Sequence, residues 1–115
     1  MEFKRHLKPQ MMDGKYGLHG KLKATVGNGE KLASILVEAS KVVANAKGCQ
    51  IYIVSKDHDD QDSIWVTEAW DSKADHDNSL NDARVKALIA EAVPLLDGKP
   101  EKGHEFEIVG GLGIT

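Results

Sequence analysis

The sequence predicts an α+β domain in which a four-stranded antiparallel sheet carries its helices on one face. Four short segments alternate apolar and polar residues with the period of two that is typical of strands. Two longer regions repeat apolar residues at steps of three and four, which is typical of helices. The segments follow one another as strand, helix, strand, strand, helix, strand, which is the split βαβ or ferredoxin-like arrangement.

Length and composition indicate one ordinary globular domain. The chain has 115 residues, of which 41% are hydrophobic and 29% charged, and its formal net charge is -3. This balance is typical of neither disordered nor membrane-spanning chains. The sequence has neither a basic face nor an RNA-binding signature, which argues against a nucleic-acid partner. The one cysteine, Cys49, excludes an intrachain disulfide, which fits a reducing compartment. No apolar run approaches membrane length. We therefore expect a cytoplasmic protein with no membrane or nucleic-acid partner.

The N-terminal residues are interpreted as a loose leader. Residues 1–14 begin MEFKRHLKPQ, which is basic but lacks the apolar core of a signal peptide. The native start would then be Met11 or Met12, and the Asp13-Gly14 turn signal would end the leader. The folded domain is expected to span residues 15–115.

The first strand and the first helix have the clearest patterns. Tyr16 to Ala24 alternates apolar and polar side chains and predicts a half-buried strand. Asn28, inside a Gly-Asn-Gly turn, is positioned to cap a helix, and Gly48 stands where that helix would terminate. The apolar face predicted between them consists of Leu32, Ile35, Leu36, Ala39, Val42, Val43 and Ala46.

Two more strands and the start of a second helical region follow. Cys49–Ser55 and Ile64–Trp70 alternate as strands, and the polar segment between them predicts a hairpin loop. Ser72 and Asp75 have the spacing of a capping box. A helix should therefore begin almost immediately after the third strand.

The second helical region is expected in two parts. Asn81 or Asp82 is positioned to cap a fresh segment, and Pro94 should end the regular helix near Ala92 because proline lacks an amide hydrogen. The last strand is predicted over His104–Val109, before a glycine-rich tail.

The alternation also predicts what each face of the sheet carries. The side chains expected under the helices are Leu18, Leu22, Ile51, Ile53, Ile64, Val66, Phe106 and Ile108. The opposite face would carry His19, Lys21, Tyr52, Val54, Trp65, Thr67, Glu105 and Glu107. Lys21 is expected to pair with Glu105 or Glu107 across neighbouring strands. A face so aromatic and so charged is suited to meet a second copy of itself, so we expect a homodimer.

The strand-to-helix corner, residues 64–80, is the candidate functional stretch. Trp65, Glu68 and Trp70 lie on the strand that leads into the helix carrying His76. The register places Glu68 and Trp70 on the helix side, where a carboxylate is costly unless it meets a pocket or a hydrogen bond. This corner is expected to form one wall of any reactive pocket.

Each candidate residue also has a purely structural interpretation. His76 is either a general base or an ordinary surface histidine near a helix start. Glu68 either orients His76 or polarises a substrate, or it is a strand-end carboxylate paired with a lysine. Trp65, Trp70 and Tyr52 either line an aromatic pocket or simply pack.

The sequence predicts no metal site. In the DHDDQD loop, Asp57, Asp59 and Glu68 stand at the first, third and twelfth positions of a calcium-loop register, but Asp62 replaces the required glycine. We interpret the loop as a solvated hairpin tip. Cys49 begins an apolar strand beside no obvious base, which favours a core residue over a nucleophile.

The corner resembles the signature of the antibiotic biosynthesis monooxygenase family, E-x-W-x-S-x-x-x-H followed by a leucine. The matching residues are Glu68, Trp70, Ser72, His76 and Leu80. Other sequence features of the family are a glycine before the first helix, a glycine before the second strand and a C-terminal V-G-G-x-G. They are matched by Gly27, Gly48 and Val109 to Gly113. The resemblance spans roughly residues 16–114.

The resemblance implies a dimeric α+β barrel and oxygenation of quinols or polycyclic aromatic ketones without a cofactor, as in quinol monooxygenases. A base and hydrogen-bond donors would stabilise a deprotonated, electron-rich substrate that reduces oxygen directly. Where many members place a second histidine, this chain has Ser79, which argues against a two-histidine relay. Heme-degrading members place a ligand histidine further along the second helix, and residues 86–92 contain none.

We therefore expect a homodimeric monooxygenase that acts on a small aromatic substrate with O2. His76 is the expected base and Glu68 its partner, Trp70, Trp65 and Tyr52 are expected pocket walls, and His19 is a second candidate base. Two alternatives stay open: a ligand-binding or stress-related dimer without turnover, and, as the family resemblance also implies, a sugar-phosphate-type isomerase of signalling molecules on the same fold. An open apolar cavity reaching both His76 and Glu68 would favour the enzyme.

Overall fold

A computed structural model describes residues 15–114 of the chain. The elements are β1 (Lys15–Lys23), α1 (Gly29–Val43), β2 (Cys49–Lys56), β3 (Ser63–Trp70), α2 (Lys73–Ser79), α3 (Ala83–Ala92), a 3-10 turn (Val93–Leu95) and β4 (His104–Ile108). The four strands form one antiparallel sheet in the order β2-β3-β1-β4. The predicted ferredoxin-like arrangement is confirmed. The leader expected over residues 1–14 lies outside the described residues.

The helices cover one face of the sheet, and the core lies between the two layers. Ile64 and Val66 of β3 and Leu32 and Leu36 of α1 belong to one buried cluster, which also takes in Ala92 of α3. A second cluster, formed by Tyr16, Val43, Trp70 and Val85, lies toward the corner between β3 and α2. Within residues 15–114, no helix is both long and apolar enough to cross a membrane.

The start of α1 is capped from a distant loop. Asn28 occupies the predicted cap position, but its side-chain amide donates to Thr25 Oγ1 at 2.7 Å. The Asp62 carboxylate instead accepts from the amides of Gly29 at 2.9 Å and Gly27 at 3.2 Å. A Cβ on Gly29 would collide with the backbone of the loop that carries Asp62. The β2–β3 loop therefore fixes where α1 begins.

The caps of the second helical region match the sequence pattern. The Ser72 hydroxyl accepts from the Asp75 amide at 3.1 Å and begins α2. Asp82 accepts from the amides of Arg84 and Val85 and begins α3, which ends at Ala92 as predicted. The carboxylate of Asp75 lies against Gly48, where a side chain would collide with it.

The predicted faces of β1 and β3 agree with the structure, whereas those of β2 and β4 were wrong. Tyr52 pairs with Glu68 and Val54 with Val66, so both lie on the helix side. Both alternating sets of β2 contain apolar residues, so hydrophobicity alone does not choose between the two faces. A register irregularity between Cys49 and Ile51 keeps Cys49, too, on the helix side.

The edge strand β4 is also turned over relative to the prediction. Glu105 and Glu107 pair with Leu18 and Tyr16 on the helix side. The expected Lys21 pair with these glutamates is therefore wrong: the Tyr16 hydroxyl donates to Glu105 at 2.8 Å, and the Lys21 ammonium lies 5.9 Å from the centre of the Trp65 ring.

The uncovered side of the sheet, called here the open face, is consequently more apolar than predicted. It carries Gly17, His19, Lys21, Ile51, Ile53, Trp65, Thr67, Phe106 and Ile108. Ile53 and Phe106 are half exposed. Ile108 packs over Gly17, where an added Cβ would approach it to 3.2 Å.

Candidate functional site

A cavity of about 220 Å³ lies between the helix side of the sheet and the helices. Its apolar lining consists of Leu22, Ile35, Leu36, Ala39, Val43, Leu80, Val85, Leu88, Ile89, Ala92, Val93, Leu96 and Pro100. The polar lining consists of Tyr52, Glu68, His76 and Ser79. Among the described residues that line it, none is lysine or arginine.

The polar residues gather at one end of the cavity. Tyr52 and Glu68 are direct partners across β2 and β3. His76 and Ser79 lie one turn apart on α2, and the Ser79 hydroxyl donates to the His76 carbonyl at 2.6 Å. The cavity therefore suits an apolar molecule with one polar edge.

His76 faces this cavity and is held from several sides. Its Nε2 lies 3.9 Å from Glu68 Oε1, and its Nδ1 lies 3.0 Å from Asp77 Oδ1. The ring meets the edge of Trp70 at a centroid distance of 5.7 Å and lies tilted to Tyr16 at 5.4 Å. The side chain is only 13% exposed. Its position is that of a group lining a pocket rather than a bare surface histidine.

Glu68 is a buried carboxylate with one strong hydrogen bond. Its Oε1 accepts from Trp70 Nε1 at 2.9 Å, and its side chain is 10% exposed. Burial raises the pKa of Glu68, while the Trp70 hydrogen bond and the nearby His76 act in the opposite direction. Burial also raises the pKa of the Tyr52 phenol, so Tyr52 stays a neutral hydrogen-bond donor at neutral pH.

The shifted pKa of Glu68 predicts a pH-dependent effect of Glu68→Gln on stability. The Glu68 carboxyl holds its proton more tightly in the folded chain than in the unfolded chain, where glutamates titrate at about pH 4.3. The wild-type stability that Glu68 contributes is therefore present below that pH and is lost as pH rises through the raised folded pKa. Glutamine does not ionise and retains an oxygen for Trp70, so the variant should gain stability relative to wild type across this window.

Urea unfolding of both proteins between pH 4 and pH 8 tests this expectation. Glu91→Gln, an exposed change on α3, controls for the loss of one negative charge. A constant difference in the free energy of unfolding between Glu68→Gln and wild type would contradict the assignment.

The structure brings some of the predicted pocket residues together and separates others. Tyr52 lines the cavity with His76 and Glu68. Trp70 is fully buried behind them and acts through its hydrogen bond to Glu68. Trp65 and His19 lie on the open face, where their rings stack at 4.8 Å. His19 Nδ1 lies 2.9 Å from Thr67 Oγ1, on the far side of the sheet from the cavity.

Two residues around His76 are not singled out by the sequence pattern. Asp77 meets the imidazole from the solvent side, and Tyr16 packs against its ring. The signal for Asp77 is its place directly after the histidine of the motif. Tyr16 is identified only through strand pairing, which places it opposite Trp70.

The other candidates have structural roles in the described part of the chain. Asp57 accepts from the Asp59 amide and from Trp65 Nε1, which holds the hairpin loop against β3. In residues 15–114, no group of three or more His, Cys, Asp or Glu is arranged to hold a metal. Burial raises the pKa of the Cys49 thiol, which disfavours the thiolate that nucleophilic chemistry requires.

The chain is similar to known proteins in both sequence and fold. Residues 16–91 match the sequence model of the family described as antibiotic biosynthesis monooxygenase. The match begins at Tyr16 of β1 and includes β3, which carries Glu68, and α2, which carries His76 and Asp77. Among curated proteins, none matches the sequence.

Solved structures of similar proteins agree with the family match. A "putative antibiotic biosynthesis monooxygenase" from Chloroflexus aurantiacus is 41% identical, with a TM-score of 0.80, and the alignment covers 89% of this chain and 100% of that chain. Proteins with the same description from Caulobacter crescentus (20% identity, TM-score 0.77, 91% and 99% covered) and Deinococcus radiodurans (24%, 0.72, 87% and 98%) are also similar. At these lower identities the likeness establishes the fold alone.

Proposed function

The chain belongs to the antibiotic biosynthesis monooxygenase family, and on that premise we propose that it oxidises a quinol or polycyclic aromatic substrate with O2 and without a cofactor. The observation that carries the proposal is one apolar cavity whose polar end holds both His76 and Glu68. Such a cavity binds a hydrophobic ring and presents a base to its hydroxyl group.

The proposed reaction converts the substrate and O2 into an oxygenated product and water. A base removes a proton from the hydroxyl group, and the electron-rich anion transfers an electron to O2. The two radicals combine to form a carbon–oxygen bond, giving a peroxide that is then protonated. The hydroperoxide loses the proton on the same carbon as its O–O bond breaks, which leaves a carbonyl and releases water. One oxygen atom thus enters the product, and the substrate supplies every electron.

The residues at the polar end have distinct proposed roles. His76 Nε2 accepts the substrate proton and later returns a proton to the peroxide. The Tyr52 phenol, kept neutral by burial, donates a hydrogen bond to the developing oxyanion. Glu68 Oε1, 3.9 Å from Nε2, stabilises the ring once Nε2 carries the substrate proton, and Glu68 is itself held by Trp70.

The size of the cavity favours the smaller members of the proposed substrate class. A cavity of about 150 Å³ accommodates benzene, so a volume of about 220 Å³ fits a substituted ring or a compact two-ring quinol. A three-ring ketone would extend beyond the enclosed volume.

The rival functions fit the cavity less well. A phosphorylated isomerase substrate would call for cationic side chains, and the described lining contains neither lysine nor arginine. A binding protein without turnover would need no base at the polar end, whereas His76 and Glu68 meet there.

Oxygen consumption tests the proposal directly. Purified protein is mixed with menadiol and, separately, with an anthrone, and the rate of oxygen uptake is compared with buffer and with heat-denatured protein. We expect the native protein to accelerate uptake, more with menadiol than with the anthrone. Equal rates with native and denatured protein for both compounds would contradict the proposal.

We further propose that the protein is a cytoplasmic homodimer joined through the open face. Exposed apolar side chains there, including Ile53 and Phe106, form a surface suited to packing against a second copy. In a symmetric dimer, a charge introduced on this face is present twice. Ile53→Asp should therefore convert a dimer of wild-type chains into monomers, as measured by light scattering after size-exclusion chromatography.

Val37→Asp is the matched control for this experiment. Val37 is 43% exposed and Ile53 is 50% exposed, but Val37 lies on the outer side of α1. The control should keep the wild-type mass. A wild-type protein with the mass of a single chain would contradict the proposed dimer.

A further inference from the structure

We propose that Asp77 positions His76 and is the outlet for its proton. In this arrangement Asp77 holds the imidazole with Nδ1 toward solvent and Nε2 toward Glu68 and the cavity. The proposed role in proton release rests on the proposed function. The effect of Asp77 on the imidazole is a property of the folded chain and is measurable without turnover.

The imidazole of His76 lies between two carboxylates in different surroundings. On the cavity side, Glu68 has a side chain that is 10% exposed and an Oε1 atom 3.9 Å from Nε2. On the other side, Asp77 Oδ1 lies 3.0 Å from Nδ1, and the Asp77 side chain is 52% exposed. His76 is thus the group that joins a buried, polar cavity end to a carboxylate in contact with bulk water.

The charge state of Asp77 sets the tautomer of the ring. The hydrogen bond with His76, and next the one with Lys73, hold the pKa of Asp77 below its usual range. An ionised carboxylate only accepts hydrogen bonds, so the proton of neutral His76 is placed on Nδ1. The lone pair of Nε2 is then directed toward Glu68 and the cavity, where a substrate hydroxyl would lie.

The other ionisable groups near His76 do not offer the same route. Tyr16 packs on the ring from β1, but its hydroxyl donates to Glu105 of β4, and burial together with Glu105 raises the Tyr16 pKa. Tyr52 of β2 and Glu68 of β3 face the cavity. Lys73 of α2 donates to Asp77 at 3.2 Å and reinforces its negative charge.

The proton balance of the proposed step is complete. The substrate hydroxyl gives its proton to Nε2, and the Nδ1 proton passes to Asp77 and from there to water. The ring now carries its proton on Nε2, which it later donates to the peroxide formed from substrate and O2. Nδ1 regains a proton from water through Asp77, and the original tautomer is restored. One neighbouring carboxylate can thus serve where a second histidine is absent.

The test compares Asp77→Ala with wild type and with Asp59→Ala, an exposed change at the hairpin tip. Nitrogen-15 chemical shifts of the His76 ring report its tautomer in each protein at neutral pH. We expect the Nδ1–H form in wild type and in the control, and a shift toward the Nε2–H form in Asp77→Ala. Wild-type protein in the Nε2–H form, or an unchanged tautomer in the variant, would overturn the proposal.

Turnover provides a second readout. With menadiol as substrate, Asp77→Ala should lower kcat roughly tenfold with little change in KM, and added formate, a small carboxylate, should restore part of the loss. Loss of rate without formate rescue would contradict the outlet role. Absence of oxygen uptake in wild type would instead refute the proposed function, while the ring tautomer would still decide the positioning role. If Asp77→Ala does not fold, Asp77→Leu, which keeps the side-chain volume but has no acceptor for Nδ1–H, provides the comparison of ring tautomers.

Discussion

His76→Ala should reduce the kcat for oxygen uptake by roughly 10²- to 10⁴-fold, which is the usual contribution of a general base. The variant removes the nitrogen that faces the cavity and leaves the apolar lining in place. Substrate binding should therefore persist, and KM should change much less than kcat. The measurement is steady-state oxygen uptake with menadiol, corrected for its spontaneous oxidation.

His58→Ala is the matched control, because His58 is exposed on the β2–β3 loop. It should keep the wild-type rate. Glu68→Gln should fall between the two, since glutamine retains the acceptor for Trp70 but loses the charge beside His76. A His76→Ala variant that turns over as fast as wild type would refute the assignment of the base.

Trp70→Ala should lower the free energy of unfolding by about 3–5 kcal/mol, the range typical of truncating a large aromatic in a core. Trp70 is fully buried, packs with Tyr16, Val43 and Val85, and supplies the hydrogen bond to Glu68. Its removal leaves a cavity and a buried carboxylate without that donor. Domains of this size are stable by only about 5–15 kcal/mol, so the loss should be visible as a large drop in the urea midpoint.

Trp70→Phe separates the two contributions. Phenylalanine fills most of the volume but cannot donate a hydrogen bond to Glu68. The variant should therefore lose about 1–3 kcal/mol of the free energy of unfolding, the penalty for a buried acceptor left unpaired. Circular dichroism during urea unfolding measures both variants against wild type. A Trp70→Ala protein within about 1 kcal/mol of wild type would contradict this description of the core.

Local chemistry explains why most of the fold is predictable from the sequence. Apolar residues recur with a period of two in the strands and of 3.6 in the helices, so both are recognisable in the sequence. Ser72 and Asp82 cap helices, as their residue types and positions predict. The corner that joins Glu68, Trp70 and His76 is also predictable. All three belong to one short stretch whose strand and helix phases place them on the same side.

Long-range pairing explains what the sequence does not reveal. The faces of β2 and β4 depend on register against neighbouring strands, and on β2 both alternating sets are apolar enough to be buried. Tyr52 was consequently expected on the open face, whereas it lies in the cavity. Likewise, the cap of α1 comes from Asp62, which is remote in sequence. Such contacts are set by tertiary structure rather than by neighbouring residues.

The fate of the oxygen atoms tests the central claim most directly. Wild-type protein is allowed to oxidise menadiol under ¹⁸O2 while the product mass, the oxygen consumed and any hydrogen peroxide are measured. If the protein is a monooxygenase that acts in the cavity lined by His76 and Glu68, each product molecule should contain one ¹⁸O atom and hydrogen peroxide should not accumulate. His76→Ala should lose this labelling. An unlabelled quinone formed with one peroxide per O2 consumed, at the same rate in His76→Ala, would contradict it.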